Sequence, residues 1–181
     1  MAAATTAPVR LGLRILIAAL GATVLASGVA AQNAAPGATP VEKHGDWTMF
    51  QAAAGASKLC FITAQPTDSK PEGAKRDVIH FYISAWPKEG VKSEVSVKLG
   101  YPLKKGSEPT VSIGPQSFKL FVKDDKAFVS DPTAELKLIE AMKKGAKLLV
   151  EAVSERGTVT SDIYSLTGFE KALQSLSAKC T

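Results

Sequence analysis

The stretch VKSEVSVKL, from Val91 to Leu99, has the clearest structural pattern in the chain. Apolar side chains alternate with charged and polar ones, which is the period of a β-strand with one dry face and one wet face. The dry face carries Val91, Val95, Val97 and Leu99, and the wet face carries Lys92, Glu94, Ser96 and Lys98. A half-buried strand of this kind is typical of an antiparallel sheet that covers a core on one side.

Several other short runs have strand-like composition and are separated by turn residues. Gly114-Pro115, Asp124-Asp125 and Arg156-Gly157 mark three of the turns. Short strands at this spacing predict a two-layer antiparallel β sandwich. The predicted strands are 47–52, 58–65, 78–86, 91–99, 110–113, 116–122, 126–129, 147–153 and 158–166.

Two short helices are predicted between and after the later strands. Asp131 supplies an N-cap, Pro132 occupies the first helical position, and Gly145 marks the end of the first helix. The second helix is predicted to begin at Thr167, whose spacing to Glu170 is that of a capping box.

The first 31 residues are predicted to be a signal peptide. Arg10 and Arg14 precede an uncharged run from Ile15 to Ala31, and Val29-Ala30-Ala31 satisfies the small-residue rule for cleavage. The alternative is an uncleaved membrane anchor, but a run of 17 residues diluted by glycine and serine is short for a span. Residues 32–44 are rich in alanine and proline and are predicted to be a flexible linker, which leaves one domain, 45–181, and no membrane span in the mature protein.

An exported chain with two cysteines outside any metal or redox spacing is expected to form a disulfide. Cys60 shares strand parity with Ile62, and Cys180 lies on the apolar face of the second helix. We therefore predict a Cys60–Cys180 bond that staples the C-terminal helix to an early strand. That helical face consists of Phe169, Ala172, Leu173, Leu176 and Cys180.

Charge and motifs exclude several classes of function. Removing Arg10 and Arg14 from a chain of formal net charge +5 leaves +3, which is too little for a nucleic-acid-binding surface. The chain has no glycine-rich phosphate loop, nucleophile elbow or EF-hand loop, and its two histidines lack zinc-site spacing. We predict no metal, no cofactor and no catalytic residue.

The segment SERGTVTSDIYSL, Ser154 to Leu166, raises the question of a serine nucleophile. A nucleophilic serine needs a base beside it, and the mature chain offers only His44 and His80. The candidate serines are Ser84, Ser154 and Ser165. We favour a hairpin turn at Ser154–Gly157, with a hydrolase site as the alternative.

The strand 78–86 has aromatic side chains on its second face. His80, Tyr82 and Trp86 lie opposite the apolar face formed by Ile79, Phe81, Ile83 and Ala85. Aromatic residues of this kind are enriched at partner surfaces, so the three are a candidate partner surface. A second buried sheet face, or packing beneath a helix, explains the same residues.

The order of segments along the mature chain closely resembles the invasion associated locus B family of exported bacterial proteins. The segments, from Gly45 to Cys180, are GDWTMF, LCFITAQP, RDVIHFYISAWP, SEVSVKLGYPLKKGS, VSIG, EAMKKGAKL, SERGT and DIYSLTGFEKAL. The resemblance implies an immunoglobulin-like β sandwich in the envelope of a Gram-negative bacterium and carries over no catalytic residues. Some family members have a further cysteine soon after the GDW-like motif, where this chain reads Met49-Phe50-Gln51, so a second disulfide is not expected.

Three hypotheses about function follow. The first is a non-enzymatic binding module of the periplasm or cell surface, outer-membrane associated or secreted, whose partner is an envelope protein or a host surface component. The second is an envelope hydrolase, and the third is an envelope-stability factor without a discrete site. The sequence does not indicate an oligomeric state.

Overall fold

The computed structural model describes residues 1–3, 37–54 and 57–180. The chain divides into two compact units, Met1–Gln32 and Asn33–Thr181. The predicted signal peptide, 1–31, lies outside the described residues apart from 1–3, so it stays a prediction. The fold below is that of the second unit.

Twelve strands of the described residues form two antiparallel sheets. The large sheet contains β1 (Thr39–His44), β2 (Trp47–Ala54), β3 (Ser57–Ala64), β5 (His80–Trp86), β6 (Val91–Lys98), β9 (Phe121–Lys123) and β10 (Lys126–Phe128), in the order β1-β2-β3-β5-β6-β10-β9. The small sheet contains β4 (Asp68–Lys70), β7 (Thr110–Ile113), β8 (Gln116–Lys119), β11 (Lys147–Val153) and β12 (Val159–Ser165), in the order β4-β12-β11-β7-β8.

One buried cluster joins the inner faces of the two sheets to both helices. The large sheet contributes Met49, Ile62 and Ile83, and the small sheet contributes Val111 and Val150. The stretch that carried the clearest sequence pattern is β6, and its Val95 and Val97 are completely buried in this cluster. The predicted two-layer β sandwich is confirmed.

The first helix, α1 (Pro132–Lys144), begins and ends as predicted. The Asp131 carboxylate accepts a hydrogen bond from the Thr133 backbone N–H at 2.8 Å. Gly145 follows the last turn, where a Cβ atom would lie 2.7 Å from the Ile113 side chain. Close packing against β7 therefore favours glycine at this position, whose φ of −83° any residue could adopt.

The second helix, α2 (Phe169–Lys179), has a different N-terminus from the one predicted. Its N-cap is Gly168, with a φ of 86° and no side-chain cap. The Thr167 hydroxyl accepts a hydrogen bond from Ser165 at 3.0 Å, so the predicted capping box is wrong. The reason is steric, because a Cβ atom at Gly168 would lie 2.1 Å from the His44 carbonyl oxygen where the β1–β2 turn meets the helix.

The segment 32–44, predicted to be a linker, includes strand β1, so the linker prediction is corrected from Thr39 onward. β1 forms an antiparallel hairpin with β2, in which His44 pairs with Trp47 across the Gly45-Asp46 turn. Its side chains are mostly exposed, and Pro40 lies within it. An edge strand that buries little apolar surface leaves no alternation in the sequence, which is why the pattern did not reveal it.

The predicted strand 116–122 is two strands that belong to different sheets. The chain leaves the small sheet after β8 and enters the large sheet at β9. Leu120, at the crossing point, is buried in the core, and its backbone N–H donates to the Pro109 carbonyl at 2.8 Å. The short edge strand β4 was not predicted.

The Cys60–Cys180 disulfide is confirmed, with Cα atoms 5.9 Å apart. Cys60 lies on the inner side of β3, and Cys180 is the residue directly after α2. On the same helix, Phe169, Ala172 and Leu176 are buried. The bond thus fixes the C-terminal helix to the inner side of the large sheet.

Candidate binding face of the large sheet

The outer side of the large sheet carries a row of aromatic residues, which we call the outer aromatic face. Directly paired residues of an antiparallel sheet point to the same side, so the strand register places these rings together. Phe50 pairs with Phe61, and Phe128 pairs with Phe121. Ser96 lies between the two groups because it pairs with both Tyr82 and Phe128. The face consists of Phe50, Phe61, Tyr82, Phe121 and Phe128.

The rings of this face contact one another across the strands. The ring centroids of Phe50 and Phe61 are 5.3 Å apart and stacked, and those of Phe61 and Tyr82 are 5.7 Å apart, edge to face. Phe121 and Phe128 stack at 5.6 Å. These are the distances at which aromatic pairs attract beyond simple burial.

The outer aromatic face does not belong to the core. Phe50 and Phe61 are 3% and 2% exposed, but the buried cluster that joins the sheets and helices contains neither of them. Both helices contribute to the inner cluster, through residues such as Leu138 and Leu176. Phe50 and Phe61 are nevertheless covered, and the exposed ring of the face is Phe121, which is 45% exposed.

Charged groups around this face are of both signs. The Lys126 ammonium lies 5.9 Å from the centre of the Tyr82 ring, and Lys98 pairs with Asp125 at 3.6 Å. Burial raises the pKa of Tyr82 to about 12, and the Asp125 carboxylate adds to the shift. Burial also raises the pKa of Glu94, as does the nearby Glu135 carboxylate. Positive and negative groups around the rings are thus balanced.

The structure places the three predicted partner residues on this side of β5 but does not expose them together. His80 is 2% exposed, and its Nδ1 atom lies 3.1 Å from the Thr63 hydroxyl. Tyr82 and Trp86 are half-buried, and a register shift between Ser84 and Trp86 separates Trp86 from the others. The shared surface is instead formed by Tyr82 with phenylalanines from other strands. Sequence reasoning missed those residues because their proximity depends on strand register across up to 78 positions of chain, from Phe50 to Phe128.

The serines considered for hydrolysis have structural hydrogen bonds. The Ser154 hydroxyl accepts a bond from the Thr158 backbone N–H at 3.1 Å, which closes the predicted turn. Ser165 donates to Thr167, and Ser84 is buried on the outer side of β5. None of these three contacts the Nδ1 or Nε2 atom of His44 in the described structure. The turn at Ser154–Gly157 is thus accounted for by its local bonds.

A serine that sequence reasoning missed lies beside His44. The Ser175 hydroxyl of α2 is 2.9 Å from His44 Nε2, and a Glu42 carboxylate oxygen is 3.2 Å from the same nitrogen. A serine–histidine–acid relay requires the serine and the acid on different ring nitrogens, so this arrangement is not a relay. Glu42 also binds the Lys179 ammonium. The hydrogen bond from Lys179, then those of Ser175 and His44, lower the pKa of Glu42 to about 2. The cluster ties the edge strand β1 to α2.

Metal-binding clusters and membrane-spanning helices are both absent from the described residues. Residues 1–3, 37–54 and 57–180 contain no group of three or more histidine, cysteine or carboxylate side chains that could hold a metal ion. The helices within the same ranges are all too short or too polar to span a bilayer.

Comparison with known proteins adds two findings. A family model described as "Invasion associated locus B (IalB) protein" matches residues 47–177. The fold is similar to a crystal structure of invasion associated protein b from Bartonella henselae, with a TM-score of 0.55 and 13% sequence identity over 76% of this chain and 95% of that one. A search of curated proteins found no match.

Proposed function

The chain belongs to the invasion associated locus B family, and on this premise we propose that it is a non-enzymatic protein of the Gram-negative periplasm that binds another envelope protein through its outer aromatic face. The observation that carries the proposal is the exposure of Phe121, which is 45% exposed and stacks on Phe128 at the β9–β10 end of the face. Phe128 and Tyr82 are half-buried on the same side of the sheet. A large apolar ring left exposed beside other aromatic rings is characteristic of an interaction surface.

The physical chemistry of the face suits binding by apolar contact. A fully covered aromatic side chain buries about 150–250 Å² and is among the residues that dominate interface energies. Phe121 is 45% exposed and stacks on Phe128, which extends the apolar surface to the edge strand β9. A partner that presents an apolar segment across β5, β6, β10 and β9 would contact Tyr82, Phe128 and Phe121 in one row.

The periplasmic location is supported by the predicted signal peptide and by the disulfide. A disulfide between residues 120 positions apart persists in oxidising compartments and is rare in the cytosol. The non-enzymatic role is supported by the histidine geometry. In the described part of the chain, His44 meets its serine and its acid through one nitrogen, and His80 Nδ1 faces Thr63.

The test is crosslinking in cells of the oxidised mature protein, followed by mass spectrometry of captured proteins and of the crosslinked positions. The informative variant is Phe121→Ser with Phe128→Ser, which removes the two rings at the β9–β10 end of the face. The matched control is Leu136→Ser, because Leu136 is 61% exposed on α1, away from this sheet face. We expect one reproducible envelope partner for the wild type and the control, and at least a tenfold lower yield for the double variant.

Two results would count against the proposal. Equal capture by all three proteins would show that the aromatic face is not the contact surface. Capture of host surface components alone, with no envelope partner, would replace the proposed partner with a host one. Circular dichroism of each variant establishes that any loss of capture is not a loss of folding.

A further inference from the structure

A second surface, separate from the outer aromatic face, is a cleft of about 710 Å³ formed by loops. It is bounded by the segment 74–77 that precedes β5, by residues 100–102 that follow β6, and by the turn 154–156 between β11 and β12. Thr158 and Thr160 complete the lining. No residue of the outer aromatic face takes part, so a ligand here would be independent of the proposed partner.

Arg76 forms a rigid, buried part of the cleft wall. Its guanidinium donates to both carboxylate oxygens of Asp162, at 2.8 Å and 2.6 Å, and its Nε and Nη2 atoms donate to the Leu99 carbonyl at 3.1 Å and 3.0 Å. The Arg76 and Asp162 side chains are 6% and 0% exposed. Four of the five guanidinium N–H groups are thereby used, and the second hydrogen on Nη1 has no bond to a described residue. Arg76 therefore retains one donor in a fixed orientation.

The cleft is also lined by hydroxyl groups and one aromatic ring. The Tyr101 ring lies 5.0 Å from the Arg76 guanidinium carbon, and the Tyr101 hydroxyl is hydrogen-bonded to Thr160. Ser154 and Thr158 bring two further hydroxyls from the neighbouring turn. Hydroxyls that both donate and accept, beside an aromatic ring, suit a ligand that is itself rich in hydroxyl groups.

The lining of the cleft contains three cationic side chains, Lys75, Arg76 and Arg156, and two acidic ones, Asp77 and Glu155. Lys75 and Arg156 line it, and Lys104 is held next to it by a 3.0 Å bond from its backbone N–H to the Val153 carbonyl. Asp162, the partner of Arg76, is not itself among the lining residues. Of the five charged side chains of the lining, only Arg76 is in a salt bridge with a described residue.

We propose that this cleft binds a small acidic sugar, meaning a polyhydroxylated ligand that carries one phosphate or carboxylate. The anionic group lies between Lys75 and Arg156 with the free Arg76 donor, and the sugar hydroxyls bond to Ser154, Thr158 and the Tyr101–Thr160 pair. Charge-assisted hydrogen bonds provide the preference for the acidic group. The volume of the cleft is in the range of ordinary small-molecule sites.

The test is titration of the ¹⁵N-labelled mature protein with glucose 6-phosphate and with glucuronate, each compared with glucose. We expect amide shifts concentrated in residues 74–77, 100–102 and 154–160, and binding at least tenfold tighter for the two acidic sugars than for glucose. The informative variant is Lys75→Gln with Arg156→Gln, which should weaken binding about tenfold. The matched control is Lys137→Gln with Lys171→Gln, which removes the same charge from exposed helical positions and should change nothing.

Three results would overturn the proposal. Glucose binding as tightly as the acidic sugars would remove the anionic requirement. Equal weakening by the cleft and control variants would indicate attraction by overall charge alone. Sedimentation with phosphatidylglycerol vesicles but no binding of either soluble sugar would assign the positive charge to a lipid surface.

Discussion

The two sides of strand β3 differ in what they pack against, although both are buried. Ile62 is completely buried and contributes to the core between the sheets, whereas the adjacent Phe61 is 2% exposed and lies outside that core. The same division continues across the large sheet, with Met49 and Ile83 inside and Phe50 and Tyr82 outside. Phe61 is nevertheless covered, and the accessible part of the outer side lies toward β10 and β9, where Phe121 is 45% exposed. We assign stability to the inner face and recognition to this accessible end of the outer face.

The largest effect is expected from the bond that fixes α2 to the inner side of β3. In the chain-entropy model a disulfide closing a loop of about 120 residues contributes roughly 4 to 5 kcal/mol. We expect Cys60→Ala with Cys180→Ala to lower the free energy of unfolding by that amount in urea titration. Wild-type protein in reductant should have the same free energy of unfolding as the variant. A loss below about 1 kcal/mol would show that the disulfide contributes little to the stability of the inner face.

The second largest effect is expected from the buried ion pair between Arg76 and Asp162. Removing one partner leaves a buried charge unpaired, so Arg76→Met is expected to cost about 3 to 5 kcal/mol. Urea titration measures the loss. The double variant Arg76→Met, Asp162→Leu should recover most of it, because replacing both charges removes the unpaired group. A double variant as unstable as the single one would contradict this account.

The direct comparison of the two faces is Ile62→Ala against Phe121→Ser. A buried isoleucine truncated to alanine in a packed core costs about 2 to 5 kcal/mol. On the outer side, Phe121→Ser removes one stacked ring contact and strand propensity at a position that is 45% exposed, which is worth about 1 kcal/mol. Both values come from urea unfolding of the oxidised mature domain. Equal losses would mean that the outer face is part of the stabilising core.

The smallest effect is expected at the exposed tie between β1 and α2. The pKa of Glu42 is lowered from 4.5 to about 2, so its contribution is present above pH 4.5 and is lost as the pH falls through 2. Glu42→Gln should therefore lower the melting temperature slightly at pH 6, and the gap should close near pH 2. Thermal unfolding at both pH values measures it, with Glu108→Gln as an exposed control. A difference in melting temperature that persists at pH 2 would show that the charge of Glu42 does not stabilise the contact between β1 and α2.

The sequence predicted the parts of the fold whose cause is local. Alternation identified β6, the Asp131-Pro132 cap identified α1, and helical spacing placed Cys180 on the face that meets Cys60. Structural features that depend on contacts with distant residues were not predicted. β1 is a strand because β2 pairs with it, and Gly168 is the N-cap because the His44 carbonyl lies against it.

The candidate site was predicted only in part, for the same reason. His80 and Tyr82 lie on one strand, so their shared side followed from alternation, and Tyr82 does belong to the outer aromatic face. Phe61 and Phe128 join it through registers that no local pattern encodes. The contact between Ser175 and His44 spans 131 positions, which placed it beyond any motif.

The most direct test of the central claim is photo-crosslinking in cells from two exposed apolar positions. Phe121 is 45% exposed on the large sheet, and Val159 is 62% exposed on the small sheet. A photoreactive phenylalanine analogue is placed at one or the other position in the oxidised protein. The account predicts a specific protein adduct from position 121 and none from position 159. Adducts of equal yield from both positions, or an adduct from position 159 alone, would contradict the assignment of recognition to the outer aromatic face.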